Sequence, residues 1–301
     1  MSRWLVTGAG GMLGRDLVAV LAENATDRIQ VTAATRDDLD ITDAEAVGTA
    51  VDGHDLVVNA AAYTDVDGAE SDEDTATAVN GRGAGNVAAA CARSGAVLLQ
   101  LSTDYVLPGS VPPDSRPYPE DAVTGPVNAY GRSKLAGEVA VLRALPDRGY
   151  VVRTAWLYGE HGGNFVATML RLAATRETLE VVDDQRGQPT WTRVLARQLL
   201  ALGEAATAGS APPGVYHGTA AGDTTWYGFA RAVFAAAGLD PDRVRPTTSD
   251  AFPRPARRPA YSVLGHDRWN EAGVAVQPPW QRQLTDALTG SAFAAGRAAL
   301  P

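Results

Sequence analysis

Apolar and polar positions follow two rhythms along the first half of this 301-residue chain. Short β-branched runs predict strands at 4–7, 29–35, 55–60, 97–102 and 150–155. Between them apolar residues recur every three to four positions. That spacing predicts helices at 12–22, 43–51, 73–94 and 129–145, with Leu13, Leu17, Val20 and Leu21 on one face of the first. Strands alternating with helices imply a parallel sheet covered on both faces.

The pattern changes in the second half. Helices are predicted at 165–174, 194–205 and 226–237, and short strands at 179–182 and 215–218. The segment 246–259, rich in proline and arginine, reads as loop. The Ala/Gly-rich tail after Thr289 reads as a last helix or a frayed end. The fold class is therefore α/β: a Rossmann-type doubly wound parallel sheet with a smaller α/β C-terminal domain. Residues 1–160 are expected to form the sheet domain, with some later strands returning to it. Residues 161–301 are expected to form mainly a smaller domain over the C-terminal edge of the sheet, where ligands bind in such folds.

Composition removes several classes. An apolar share of 45% with 20% charged residues excludes long disorder and fibrous repeats. A formal charge of −9 argues against a nucleic-acid surface, which needs a basic face. The lone Cys91 excludes an internal disulfide and fits a reducing, cytoplasmic setting. No apolar run approaches the ~20 residues of a membrane span. His54, His161, His217 and His266 are scattered without ligand spacing and read as packing or surface groups.

Gly8, Gly11 and Gly14 sit between the first strand and first helix. The first permits a tight turn, the second lets backbone approach a diphosphate, and the third lets helix pack on strand. Phosphates then rest on a helix N-terminus, beside Gly8, Gly11, Met12 and Leu13. A glycine pattern alone also fits a plain turn. The second strand ends in Thr35-Arg36, with no acid where a ribose 2′-hydroxyl is usually held. Arg36 suits a 2′-phosphate, so NADPH is expected and NADH stays possible. Asp40 and Ile41 reach toward adenine. Ala60, Ala61, Ala62 and Tyr63 line the next strand end, near the nicotinamide half.

Tyr130 and Lys134 are four apart, hence on one helix face. An ammonium near a phenol lowers its pKa, ordinarily about 10, toward useful proton transfer. Lys134 also suits the ribose hydroxyls of the nicotinamide. Ser102 and Thr103 end a strand where reaction sites lie; one makes the turn and the other, taken as Thr103, faces the site.

These residues together resemble the extended short-chain dehydrogenase/reductases, and within them the dTDP-4-dehydrorhamnose reductases. The likeness runs in order through Val58-Asn59-Ala60-Ala61-Ala62-Tyr63-Thr64, Ser102-Thr103-Asp104-Tyr105-Val106 and Tyr130 to Lys134 with Gly137-Glu138. It continues through Arg153-Thr154-Ala155-Trp156, Asn164-Phe165, Asp184-Gln185-Arg186-Gly187-Gln188-Pro189-Thr190 and Pro255-Ala256-Arg257-Arg258-Pro259. Leu107 departs from the aromatic usual there.

The resemblance implies reduction of the C4 ketone of dTDP-4-dehydro-L-rhamnose to dTDP-L-rhamnose. It makes Tyr130 the proton donor, with Thr103 and Lys134 completing the catalytic set. It places Asp104, Tyr105 and Trp156 at the sugar, and Asn164, Gln185 and the Arg257/Arg258 pair around the diphosphate. Some relatives dimerise through a Mg²⁺ held by acidic residues. The corresponding positions here are Asp16, Arg193 and Asp286, and an arginine among them speaks against a metal. The expectation is no metal, and a monomer or weak homodimer. A reductase of another nucleotide-linked 4-ketosugar remains open from sequence, as do a non-catalytic NADP-binding subunit and, more weakly, an epimerase or dehydratase.

Overall fold

The structure, a computed structural model, describes residues 1–24, 28–112, 116–290, 292–294 and 296. Strand β1 (Ser2–Thr7) turns into α1 (Met12–Asn24), followed by β2 (Ile29–Ala34), α2 (Ala44–Val51) and β3 (Leu56–Asn59). Helix α3 (Glu73–Thr77) passes through a π turn at Ala78–Gly83 into α4 (Ala84–Ser94). Then come β4 (Val97–Thr103), α5 (Ala129–Ala144) and β5 (Gly149–Thr154). The remainder holds β6 (Leu157–Tyr158), α6 (Phe165–Ala173), β7 (Leu179–Val182), β8 (Arg186–Gly187), β9 (Thr190–Trp191) and α7 (Thr192–Thr207). It ends with β10 (Gly214–His217), β11 (Thr224–Thr225), α8 (Trp226–Ala236), β12 (Val244–Thr247), α9 (Arg268–Glu271) and α10 (Trp280–Thr289). The tail expected after Thr289 lies mostly outside the described residues.

Six strands form one parallel sheet in the order β2-β1-β3-β4-β5-β10. Side chains alternate between its faces. Trp4, Val6, Leu99 and Val152 meet α1 and α7; Leu5, Leu98 and Val151 meet α2, α4 and α5. Gly203, inside α7, leaves room for the Trp4 ring. The strand expected at 215–218 is the sheet's sixth, because Tyr216 completes the same core as α7. A separate core forms where α6, α8, α10, β7 and β12 bring Phe229, Phe234 and Trp280 together. There β12 pairs with β7, so the segment expected as loop from 246 begins as a strand edge, a place that tolerates Pro246. Among the described residues no helix is long and apolar enough to cross a membrane.

The single helix expected over 73–94 is interrupted. At the π turn, Asn80 accepts from the Tyr63 amide at 2.9 Å and donates to the Tyr63 carbonyl at 3.0 Å. It also donates to Ser133 Oγ at 2.9 Å. Gly81 and Gly83 ease the widening there, since glycine holds a helix only weakly. Gly137 lets α5 close on this turn: the Asn80 carbonyl occupies the space a Cβ would take.

Candidate active site

The chain leaves β1 for β2 and later crosses to β3 on β1's other side, so a crevice opens above their C-terminal ends. Gly8 lies in that crevice with φ +67°. A Cβ there would lie 2.5 Å from the Ala61 nitrogen and 2.7 Å from the Ala60 carbonyl carbon. Gly14 has no room for one against the Gly8 carbonyl, whereas the space at Gly11 is easier. Helix α1 has no acidic residue in its first turn to compete for its free N–H groups. This cradle of bare backbone at a helix N-terminus fits a dinucleotide diphosphate. Met12 is half-buried and Leu13 is core, so Leu13 offers such a ligand only its backbone.

Arg36 is exposed at the end of β2 and has no hydrogen bond or ion pair among the described residues. The neighbouring acids are turned back on their own loops. Asp38 accepts from Thr35 Oγ1 at 2.6 Å and its amide at 2.9 Å; Asp40 accepts from the Thr42 amide at 2.9 Å and Oγ1 at 2.8 Å. These bonds hold both carboxyls below their ordinary range. Ile41 is buried beneath Gly83 as a core side chain rather than open to a ligand. Ala60, Ala61, Ala62 and Tyr63 are half-buried along the β3 end.

At the end of β4 the two hydroxyls diverge. Ser102 points inward and donates to Glu138 Oε1 at 2.5 Å. Thr103 donates to Asp104 Oδ1 at 3.0 Å and lies close enough to the Tyr130 phenol to oppose the rise in its pKa. Burial pushes the Asp104 carboxyl up to about 6, against hydrogen bonds from Ser262 and Thr103. Its Oδ2 is buried without a partner. Tyr130, in the first turn of α5, is pushed up to about 12 by burial and then by the Asp104 charge, with Thr103 opposing. The Tyr105 ring meets it edge-on at 5.8 Å; burial raises that phenol too.

Lys134 lies one turn further on, 5% exposed, its Nζ donating to the Leu101 carbonyl at 2.7 Å. Burial lowers it to about 8, opposed by Glu138. The expected lowering of the Tyr130 phenol by Lys134 is not found. The two share a face, but the ammonium is directed at the sheet, and burial dominates at the phenol.

The Leu101 carbonyl is itself the end of a buried relay. Thr7 Oγ1 donates to Asn59 at 2.6 Å, Asn59 to Gln100 at 2.8 Å, and Gln100 to the Leu101 carbonyl at 2.9 Å. Below Lys134, Glu138 takes Arg153 through both oxygens, at 3.0 and 2.8 Å, in a fully buried pair. Asn128 caps α5 by accepting from Gly131 N at 2.8 Å, and Glu70 accepts from Ala129 N at 2.8 Å.

Just beyond β5, whose end pairs with that of β4, Trp156 has φ +47°, the only positive value among described non-glycine residues. Its ring stacks on Trp226 at 3.6 Å and 9°. Asn164 caps α6 through Ala167 N and donates to the Gly159 carbonyl. Gln185 donates to Ser249 Oγ at 2.8 Å. Arg257 is exposed, its carbonyl held by Asn128 at 2.9 Å. It is Arg258 that turns inward, pairing with Asp67 at 3.0 Å beside Tyr105. Asp16 accepts from Thr192, Arg193 pairs with Glu23, and Asp286 faces Arg282. His217 and His266 are held neutral by burial, on the Gly265 carbonyl and on Thr219.

Sequence reasoning assigned no supporting role to the Glu138–Arg153 pair, Asn59 or Asp67, and did not single out Gln100, Ser262 or Trp226. One signal was available, since Gln100 and Arg153 interrupt otherwise apolar strands. A polar side chain there needs a buried partner.

Comparison with known proteins agrees along nearly the whole chain. Residues 2–292 match the family model described as RmlD substrate binding domain. A dTDP-4-dehydrorhamnose reductase of Streptomyces griseus is 56% identical over 98% of this chain and 96% of its own. A dTDP-4-keto-6-deoxy-D-glucose reductase of Streptomyces niveus is 53% identical over 95% of this chain and 96% of its own. Among solved structures, a dTDP-4-dehydrorhamnose reductase of Bacillus anthracis in complex with NADP superposes with a TM-score of 0.87 at 36% identity, covering 95% of this chain and 98% of that one.

Proposed function

The chain belongs to the dTDP-4-dehydrorhamnose reductase family of oxidoreductases, and we propose that it reduces the C4 ketone of dTDP-4-dehydro-L-rhamnose to the alcohol of dTDP-L-rhamnose with NADPH. The observation that carries this is the meeting of Thr103, Asp104 and Tyr130 at the end of β4, on the same edge of the sheet as the glycine cradle that closes on the β3 end. The NADP-bound relative supports the cofactor, with Arg36 exposed and hydrogen-bonded to neither neighbouring acid, though it feels the Asp40 charge, so that its guanidinium can take a 2′-phosphate.

The hydride that adds to C4 comes from the dihydronicotinamide of NADPH when that cofactor is bound. Tyr130 gives its phenolic proton to the ketone oxygen, so C=O becomes CH–OH and a phenolate remains until solvent reprotonates it. Thr103, beside the phenol, hydrogen-bonds the same oxygen and steadies its developing charge. Lys134 supplies positive charge under the site and reaches the ribose hydroxyls from its Leu101 anchor.

A second reading keeps the chemistry and changes the sugar, because the Streptomyces niveus relative is named for a 4-keto-6-deoxy-D-glucose. Loss of reduced-nicotinamide absorbance with each dTDP-ketosugar tests both. Oxidation with dTDP-4-dehydrorhamnose is expected. Oxidation only with the gluco-configured ketone would shift the assignment, and none with either would end it.

A further inference from the structure

Trp156 keeps a backbone conformation that a bulky residue rarely holds unless its surroundings impose it. Two neighbours impose it here. Trp226 lies flat against the indole at 3.6 Å. On Gly187 a Cβ would fall 2.6 Å from the same indole, so only glycine lets the two approach. Trp226 is itself fixed: Phe165 leans on its ring at 4.6 Å, and Thr225 caps α8 directly before it.

These contacts connect to the reacting end of the sheet. Trp156 follows β5, whose last residue, Thr154, pairs in register with Thr103. Gly187 pairs with Thr224 through β8 and β11, which brings Trp226 to the indole. The Arg186 carbonyl accepts from the amide of Ser262 at 2.9 Å. The Ser262 hydroxyl lies close enough to Asp104 to act on its carboxyl, and Asp104 Oδ1 accepts from Thr103 at 3.0 Å.

We propose that Trp226 is a positioning residue: clamped with Gly187, it holds the strained Trp156 as a fixed wall against the sugar ring and so sets which 4-ketosugar fits. This rests on the reading that the site takes a dTDP-linked ketosugar. The ligand class is the deoxyhexose portion of that molecule, because a rigid indole suits the apolar C–H edge of a sugar. The nucleotide portion does not need it.

The test uses Trp226→Ala, Trp226→Phe and Gly187→Ala. Two stacked indoles give an exciton couplet in far-ultraviolet circular dichroism; it should be present in the wild type, lost in Trp226→Ala and Trp226→Phe, and weakened in Gly187→Ala. Calorimetry then compares dTDP-L-rhamnose with dTDP. Trp226→Ala and Gly187→Ala should weaken the sugar nucleotide about tenfold while leaving dTDP unchanged, and Trp226→Phe should recover most of the loss. In turnover, KM for the ketosugar should rise more than kcat falls.

A lost couplet with an unchanged ratio of the two affinities would mean that the stack is packing alone. Equal weakening of dTDP and dTDP-L-rhamnose would overturn the sugar-facing role. If the wild type fails to reduce any dTDP-ketosugar, the activity reading falls, yet the affinity ratio still decides the clamp. Should Trp226→Ala not fold, Gly187→Ala and Trp226→Phe retain the decisive comparison.

Discussion

Tyr130 and Lys134 stand in a region held by directional bonds, whereas Trp156 stands in one held by stacked rings. On the first side, a polar relay runs from Thr7 through Asn59 and Gln100 to the carbonyl that fixes Lys134. Glu138 ties Ser102 to Arg153 in the same interior. On the other side Trp226, Phe165, Phe229 and Trp280 contact one another through ring faces and edges. On the function and clamp proposed above, the difference follows from what each must hold. A proton donor needs an angle, which only hydrogen bonds specify. A wall needs a volume, which close-packed aromatic rings supply.

The largest effect expected is on Tyr130→Phe, which removes the phenolic proton and leaves the ring. Turnover should fall about 10²–10⁴-fold with little change in melting temperature. Persisting turnover would take the proton donor out of the directional region.

The comparison sharpens with one deletion on each side. Glu138→Ala strands a buried guanidinium, and about 3–5 kcal/mol of stability should go. Phe229→Ala leaves a cavity of similar cost, about 3–5 kcal/mol. Denaturant melts should therefore look alike. At saturating ketosugar, turnover per folded molecule should drop far more for Glu138→Ala, because on the proposed reaction that side aims the reacting groups while the aromatic side acts mainly through KM. Equal turnover in the two variants would erase the distinction.

Asp104 offers a smaller and pH-dependent test. Its folded carboxyl titrates near 6 instead of 3.8, because burial favours the neutral form. The folded state therefore keeps a proton that the unfolded chain has released. The resulting stability is full below the unfolded value and is lost as pH rises through the folded one. The window is pH 3.8 to about 6, and the size is about 3 kcal/mol. Asp104→Asn should flatten that part of the stability–pH curve; an unaltered slope would remove the buried carboxyl from the account. The smallest effect belongs to the exposed Arg36: Arg36→Ala should raise KM for NADPH about fivefold and leave NADH and stability unchanged.

Much of this was legible beforehand. Short β-branched runs and a period-3.6 pattern placed every strand of the sheet and the helices that cover it, because a strand buried on both faces reads as a continuous apolar run and a helix buried on one face as a repeat. The glycine turn and the Tyr130/Lys134 pair could be read from spacing, whereas Thr103 had only its place at a strand end to separate it from Ser102. The break at Ala78–Gly83 could not: its cause, Asn80 bonding Tyr63 and Ser133, joins residues 17 and 53 positions away. The same holds for Arg258 turning inward while Arg257 faces out, a choice made by Asp67 on a distant loop.

The chain alone determined which residue types are present and which short stretches carry them, because helix and strand periods, turns and neighbouring pairs are local. Tertiary structure decided direction. It sent Ser102 to Glu138 and Thr103 to Tyr130, aimed Lys134 at Leu101, and set Trp156 between Trp226 and Gly187. Where a side chain points depends on which distant atoms need a partner or leave a gap, and those atoms meet only once the sheet and its layers have assembled.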